Sequence, residues 1–236
     1  MEKSTSDTFA KRCKYGVNAL FSYFVGGIKL ITAAPGKWKL PEWSVVAAFF
    51  AALVFLYLFK WPVQNFFGGD GLGWIDEIAD IGRDFGDFEL PLGIGLLLLF
   101  VGCLKNRSKW MESGAALLAA AAMAGVVVLL GQFVLAEQRP RDGGAMMFFN
   151  IEGHGISGHA TSSALILWPI RNILLKDRSE AVRTMVSVLL ISWAFMVAWS
   201  RMWHGRHFMW NVLFGLAIGF SAGYAAVKSR ELNPGK

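Results

Sequence analysis

Six long apolar stretches constrain what this chain can fold into more than any other feature of its sequence. The hydrocarbon core of a bilayer is crossed by about 20 mostly apolar residues in a helix. The stretches are Trp43–Phe59, Leu90–Leu104, Ser113–Ala136, His159–Leu175, Val182–Ser200 and His207–Val227. The second is short and the fourth contains Pro169, so both need flanking residues or local bilayer thinning to span. The pattern predicts an all-α membrane protein, a bundle of six transmembrane helices.

The composition agrees with a membrane protein and excludes several other classes. Hydrophobic residues make up 55% of the chain and charged residues 17%, against about 45–50% and about 25% in soluble domains. So apolar a chain is neither an ordinary soluble domain nor a disordered one. The two cysteines provide no disulfide scaffold and no zinc-binding spacing. The formal net charge of +6 is spread along the chain rather than clustered, so no nucleic-acid partner is expected.

Basic residues are distributed unevenly between the two sides that six spans define. Seventeen Lys and Arg residues precede the first span, follow the last, or lie in the second and fourth loops, against six in the other three loops. Because cytoplasmic segments are enriched in Lys and Arg, both termini are predicted to be cytoplasmic. The predicted organisation is a cytoplasmic or interfacial segment at 1–42, a six-helix domain at 43–228 and a cytoplasmic tail at 229–236.

Three shorter features lie outside this pattern or within its last span. Tyr15–Ile31 is moderately apolar without the features of a signal peptide, and is interpreted as an interfacial helix on the inner leaflet. The long first outer loop, Trp61–Glu89, has apolar residues at helical spacing and is predicted to contain a short amphipathic helix. Gly215, Gly219 and Gly223 repeat every four residues on the last span, which favours close packing within the bundle.

The polar residues that could take part in a reaction are concentrated in the third and fifth outer loops and the helix ends beside them. All four histidines of the chain lie there, at His154, His159, His204 and His207. Ionisable groups at the membrane edge of a helix bundle indicate a functional site. His154 and His204 are interpreted as structural residues, with lining of the pocket as the alternative.

The residue types in these loops suit phosphoryl transfer. Arginine forks match the oxygens of a phosphate dianion, and Ser157-Gly158-His159 precedes a helix, where backbone N–H groups attract phosphate. Two histidines can supply a nucleophile and an acid near neutral pH. Asp142 and Glu152 are interpreted as the only nearby acids in the third loop, which is too few for a carboxylate metal site. We therefore expect phosphoryl transfer through a phosphohistidine, without metal or other cofactor.

Three motifs in this region resemble those of a known family. The chain contains Gln132-x6-Arg139-Pro140, then Ile156-Ser157-Gly158-His159, then Ser200-Arg201-x5-His207-x3-Asn211. In order and placement they are similar to K-x6-R-P, P-S-G-H and S-R-x5-H-x3-D of the type 2 phosphatidic acid phosphatases (PAP2), which share their site with the vanadium haloperoxidases.

The resemblance implies a role for each matching residue. His207 corresponds to the nucleophile, and His159 to the acid that protonates the leaving alkoxide. The implied phosphate site consists of Arg139, Ser157, the Gly158 N–H, Arg201 and Gln132. Gln132 replaces the family's lysine and loses a positive charge, and Ile156 replaces proline. Asn211 replaces the aspartate that orients the nucleophile; its carbonyl can accept the Nδ1–H but cannot balance an imidazolium.

The resemblance also implies the activity and its location. We expect an integral-membrane lipid phosphatase, placed in a bacterial inner membrane with its site facing the periplasm or exterior. The candidate substrates are undecaprenyl phosphate or diphosphate, phosphatidylglycerophosphate, phosphatidic acid and lipid A. Two alternatives stay open: a phosphotransferase that moves the group to another lipid, and a weakened relative that binds lipid phosphates.

Overall fold

The computed structural model describes residues 3–33, 35–37, 40–69, 73–150 and 154–232. In these ranges the chain forms helices joined by turns and loops. The helices are α1 Lys3–Ala33, α2 Leu40–Leu58, α3 Lys60–Phe67, α4 Trp74–Phe85, α5 Glu89–Lys105, α6 Ser108–Val134, α7 Gly158–Ala164, α8 Leu167–Pro169, α9 Glu180–Trp203 and α10 Met209–Leu232. Short 3₁₀ turns occur at Pro35–Lys37 and Pro140–Asp142, and a π-helix at Ile170–Leu174. The predicted all-α class is confirmed.

Several helices are long and apolar enough to cross a bilayer. Within the described ranges, four pass on their own: Thr8–Ala33, Ser108–Val134, Glu180–Trp203 and Met209–Ser229. Two bent pairs pass when each is taken together, α2 with α3 at 78° and α4 with α5 at 52°. The protein is therefore an all-α membrane protein with four to six candidate spans. The third, fifth and sixth predicted spans correspond to the long helices α6, α9 and α10.

The fourth predicted span, His159–Leu175, is not a single regular helix. It is divided into α7, a turn, α8 and the π-helix, and it is not among the candidate spans found in the described chain. Pro169 has no N–H to continue the helical ladder, and its ring disturbs the preceding turn. Ala160 and Ala164 are completely buried. Protein rather than lipid surrounds this segment, which is where a bundle tolerates irregular backbone.

Helix α1 is much longer than the interfacial helix predicted at Tyr15–Ile31. It packs on the ends of α5, α6 and α10 that lie far from the third and fifth loops. Arg12 Nη1 donates to the Cys103 carbonyl at 3.5 Å, and Tyr15 Oη donates to Glu112 Oε1 at 2.7 Å. The length and hydropathy of α1 also suit a membrane-spanning helix. The position of α1 on the surface of the inner leaflet therefore stays a prediction.

The amphipathic helix predicted in the first outer loop is present as α4. Its buried side faces α9, where Trp203 Nε1 donates to Asp76 Oδ1 at 2.7 Å. Gly82 is so close to α9 that a Cβ there would lie 2.7 Å from Ser200 Oγ. Helix α4 therefore covers the end of α9 that carries the third sequence motif.

The repeated glycines of α10 pack within the bundle, as predicted. A Cβ on Gly215 would lie 2.6 Å from the Ser157 carbonyl, and one on Gly223 would lie 2.6 Å from the Leu165 carbonyl. The Ser157 N–H also donates to the Asn211 carbonyl at 3.3 Å. Only a residue without a side chain allows this approach. It brings the second sequence motif against the third.

Candidate active site

The three sequence motifs converge on one cavity at the end of the bundle formed by the end of α6 and the starts of α7 and α10. The cavity has a volume of about 710 Å³. Its polar end is lined by Asp87, Gln132, Arg139, His154, Gly158, His159, Arg201 and His207. Six of the eight predicted site residues are therefore brought together here. Ser157 and Asn211, the other two, lie buried directly behind them.

The other end of this cavity is apolar. It runs between α5 and α6 and is lined by Leu92, Leu118, Ala121, Ala122, Gly125, Val126 and Leu129, among others. Gly125 has no neighbour within 4 Å of the position where a Cβ would be, so the helix surface is open there. One cavity thus joins a cationic end to a hydrocarbon-like groove.

Arg201 gives the polar end its clearest preference for an anion. The residue is only 7% exposed, and its Nε and Nη1 are buried with no hydrogen-bond partner in the described part of the chain. A buried donor without a partner costs free energy, which an anion with several oxygens would recover. Arg139 lines the same cavity, and burial together with the charge of Arg141 lowers its pKa. The arrangement suits an anion that carries several oxygens.

His207 lies in the short loop before α10 and is almost completely buried. Its backbone N–H donates to the Arg201 carbonyl at 3.2 Å, which ties the two residues together. Burial, and then the charge of Arg201, hold the pKa of His207 well below its usual value. The imidazole is therefore neutral at pH 7 and keeps a lone pair for nucleophilic attack. Its Nδ1 is buried with no partner among the described residues.

His159 is placed in the first turn of α7, facing a carboxylate that the sequence analysis did not identify. Asp87, between α4 and α5, has Oδ2 4.0 Å from His159 Nε2. Burial and the charge of Arg201 lower the pKa of His159, and Asp87 opposes them only in part. A phosphate dianion bound beside the ring would add a second negative charge that favours the protonated form a general acid needs. The two residues are far apart in sequence, and no local pattern connects them.

Two predicted phosphate ligands have structural partners of their own. Ser157 caps α7, since its Oγ accepts from the Ala160 N–H at 3.4 Å, and it does not line the cavity. Gln132 does line the cavity, but its Nε2 donates to the Ile156 carbonyl at 2.9 Å. A direct contact of either side chain with phosphate stays a prediction.

Asn211 is held by a buried acid that the sequence analysis missed. Its Nδ2 donates to Glu137 Oε2 at 3.1 Å, and its own Oδ1 is buried with no partner in the described chain. Glu137 also accepts from Trp210 Nε1 at 3.1 Å and from Lys60 Nζ at 2.7 Å. The interpretation that the third loop offers only Asp142 and Glu152 is therefore wrong. Asp142 is exposed, and Glu152 lies outside the described residues.

The third loop turns Glu137 inward by folding back on itself. The Gln138 N–H donates to the Ala145 carbonyl at 2.9 Å, and the turn uses Gly143 and Gly144 with φ of 104° and 63°. Left-handed backbone of this kind favours glycine. Burial raises the pKa of Glu137 above its usual value, and hydrogen bonds from Lys60, Asn211 and Trp210 oppose this shift only in part. The one sequence signal for Glu137 is an acid immediately after a predicted span, which is unusual at a membrane edge.

The other two histidines differ in position. His154 lines the same cavity as His159 and His207, and its N–H donates to the Glu137 carbonyl at 3.0 Å. His204 lines a separate cavity of about 680 Å³ and pairs with Asp80 through Nε2 at 3.2 Å. The structural interpretation therefore suits His204, and the pocket-lining alternative applies to His154.

The parts of the chain that the structure describes contain no group of three or more His, Cys, Asp or Glu side chains placed to hold a metal ion. The ionisable groups lining the polar end of the cavity are instead mainly arginine and histidine.

Comparison with known proteins shows the family to which the chain belongs. The family model described as the PAP2 superfamily matches residues 113–234, slightly more than half of the chain. In fold, the chain is similar to the crystal structure of the first transmembrane PAP2-type phosphatidylglycerolphosphate phosphatase from Bacillus subtilis, with a TM-score of 0.51 and 16% sequence identity. The similarity covers 92% of this chain and 96% of the other. The chain thus belongs to the PAP2 superfamily, and it is a PAP2-type lipid phosphatase of the membrane.

Proposed function

We propose that this protein removes a phosphoryl group from a lipid monophosphate or diphosphate through a phosphohistidine on His207. The observation that carries the proposal is the pair of buried, unpartnered Arg201 donors in the cavity that also holds His159 and His207. Guanidinium N–H groups bind phosphate oxygens strongly, so a phosphoryl group bound beside the nucleophile would give the buried Arg201 a partner.

The first step transfers the phosphoryl group to the protein. The lone pair of His207 Nε2 attacks phosphorus, and the bond between phosphorus and the leaving oxygen breaks. His159 donates its proton to that oxygen, so that the lipid leaves as an alcohol, or as a monophosphate when the substrate is a diphosphate. Arg139 and Arg201 stabilise the charge on the equatorial oxygens as it develops.

The second step returns the protein to its starting state. His159, now neutral, accepts a proton from a water molecule whose oxygen attacks phosphorus. The bond between phosphorus and His207 Nε2 breaks, and its electron pair returns to the imidazole. Inorganic phosphate leaves, and the proton on His159 is ready for the next cycle.

The apolar end of the cavity supports a lipid as the substrate. A phosphate held by Arg201 would have its ester substituent beside the groove between α5 and α6, where Leu118, Gly125 and Leu129 line the wall. A hydrocarbon chain that lies in this groove stays in apolar surroundings, as it does in the bilayer. Undecaprenyl phosphates, phosphatidylglycerophosphate, phosphatidic acid and lipid A all combine such a chain with a phosphate.

Phosphate release by purified protein tests this proposal. We expect release from one or more of these lipids, little from glycerol phosphate, full activity in EDTA, and inhibition by vanadate, which mimics the pentacoordinate transition state. Label from ³²P-lipid that appears on a second lipid instead of in solution would indicate a phosphotransferase. Binding of the lipid without release would indicate the weakened relative. Loss in EDTA that magnesium or zinc restores contradicts the phosphohistidine mechanism.

The orientation in the membrane is a separate part of the proposal. The uneven distribution of Lys and Arg supports cytoplasmic termini and a site that faces the periplasm or exterior of a bacterial inner membrane. A reporter fused after Lys236 should be active only in the cytoplasm, and one fused after Asp142 only outside. The reverse pattern overturns both the orientation and the supply of substrate from the outer leaflet.

A further inference from the structure

The environment of Asn211 contains two complementary polar atoms that lack partners. The Oδ1 of Asn211 and the Nδ1 of His207 are both buried, and neither has a hydrogen-bond partner in the described ranges of the chain. His207 lies in the loop two residues before α10 and Asn211 in the first turn of that helix, and no hydrogen bond joins the two side chains in this structure. A carbonyl oxygen can accept from an imidazole N–H, so each of these atoms offers the type of partner that the other lacks.

Glu137 determines which end of the Asn211 amide is available. An ionised carboxylate only accepts hydrogen bonds, and Glu137 Oε2 accepts from Asn211 Nδ2 and Trp210 Nε1 at 3.1 Å each. A rotated amide would place its oxygen against the carboxylate, with two acceptors facing each other. The bond to Glu137 therefore leaves Oδ1 for His207.

The tautomer of His207 follows from this orientation. If Asn211 presents only an acceptor, the proton of the neutral imidazole belongs on Nδ1 and the lone pair on Nε2. As phosphorus bonds to Nε2, positive charge develops on the ring. The Asn211 amide is neutral and transmits a dipole, whereas Glu137, paired with Lys60 through Nζ at 2.7 Å, carries the negative charge behind it.

We propose that Glu137 is a positioning residue that acts through Asn211 to fix the tautomer of His207 and to stabilise its developing charge. The proposal rests on the proposed function, in which His207 is the nucleophile. Glu137, in the third loop, would thus supply the carboxylate that Asn211 lacks.

Exchanging the carboxylate of Glu137 and the amide of Asn211 tests the proposal. Glu137→Gln keeps the shape but removes the charge, and we expect kcat to fall by about 10–100-fold, the range for partners that orient a histidine, with little change in KM. The double variant Glu137→Gln with Asn211→Asp reverses the amide and the carboxylate while keeping one hydrogen bond between them. It should recover most of the lost kcat.

The single variant Asn211→Asp provides a pH signature. It places two carboxylates in contact, and such a pair holds one proton. We expect its activity to fall as the pH rises and this proton is lost. The double variant has one carboxylate and should not show this alkaline decline, whereas a purely structural role for Glu137 predicts no such difference.

A matched control separates positioning from packing. Trp210→Phe removes another hydrogen bond to the same carboxylate oxygen but leaves the contact with Asn211, so its kcat should stay close to that of the wild type. Equal impairment of Glu137→Gln, the double variant and Trp210→Phe, with lowered melting temperatures, overturns the proposal.

Nitrogen NMR of histidine-labelled protein gives a readout that does not depend on turnover. His207, assigned by loss of its signal in His207→Ala, should carry its proton on Nδ1 in the wild type and shift toward the other tautomer in Glu137→Gln. An unchanged tautomer contradicts the positioning role. Full phosphatase activity in His207→Ala instead contradicts the proposed function, so the two failures are distinguishable.

Discussion

His207→Ala should abolish phosphate release, with a loss of at least about 10⁴-fold in kcat, as removal of a covalent nucleophile does in other hydrolases. The reason is geometric, because the cavity places the neutral imidazole of His207 beside the unpartnered donors of Arg201. The rate of release from the preferred lipid measures the effect. Acid-labile, base-stable labelling of the protein by ³²P-lipid should disappear in the same variant.

His204→Ala is the matched control for this experiment. His204 has the same chemistry and lies three residues away, but it pairs with Asp80 and lines the other cavity. We expect it to retain most of the activity. If His207→Ala keeps full turnover, or if His204→Ala loses it instead, His207 is not the nucleophile.

Arg201→Lys should reduce kcat/KM by about 10²–10³-fold, the size seen when a donor to a developing oxyanion is removed. Lysine keeps the charge, but it is a point charge on a flexible stem and cannot reproduce a planar pair of donors. Kinetics with the preferred lipid measure the loss. Arg206→Lys, in the cavity that also holds His204, is the control and should stay near the wild-type value.

The same arginine should also affect stability in a characteristic direction. A buried guanidinium with unpartnered N–H groups destabilises the unliganded protein, so vanadate should raise the melting temperature of the wild type. Arg201→Leu should melt at or above the wild-type temperature and should not respond to vanadate. A vanadate response equal to that of the wild type would mean that the anion binds elsewhere.

The three departures from the family motifs have different structural settings. Ile156 is buried and its Cδ1 fills the space beside Gly131, which has no side chain to obstruct it. Gln132 is hydrogen-bonded to the Ile156 carbonyl, so it connects α6 with the loop before α7. Asn211 contacts the buried carboxylate of Glu137. The change at Asn211 concerns the nucleophile directly, and Glu137 is its charged neighbour.

Much of the fold could be predicted from local pattern. The spans α6, α9 and α10 are recognisable because a long apolar segment has to form a helix wherever it meets lipid. The break within His159–Leu175 was not predicted. Its apolar composition suits lipid, but it is surrounded by protein, and there Pro169 and an irregular backbone are tolerated.

By itself, the sequence determined the class of the protein and most of the residues that line its site, because the apolar lengths and the three motifs are local properties. The motifs alone are enough to indicate six residues that line the cavity, namely Gln132, Arg139, Gly158, His159, Arg201 and His207. Only the tertiary structure decided which groups stand behind them. Asp87 lies near His159, and Glu137, paired with Lys60, contacts Asn211. Such contacts depend on how the helices pack. Acidic residues and lysines are common in loops, so the sequence does not distinguish these three residues from others. In the folded protein, burial removes their hydration, and hydrogen bonds within the protein replace it.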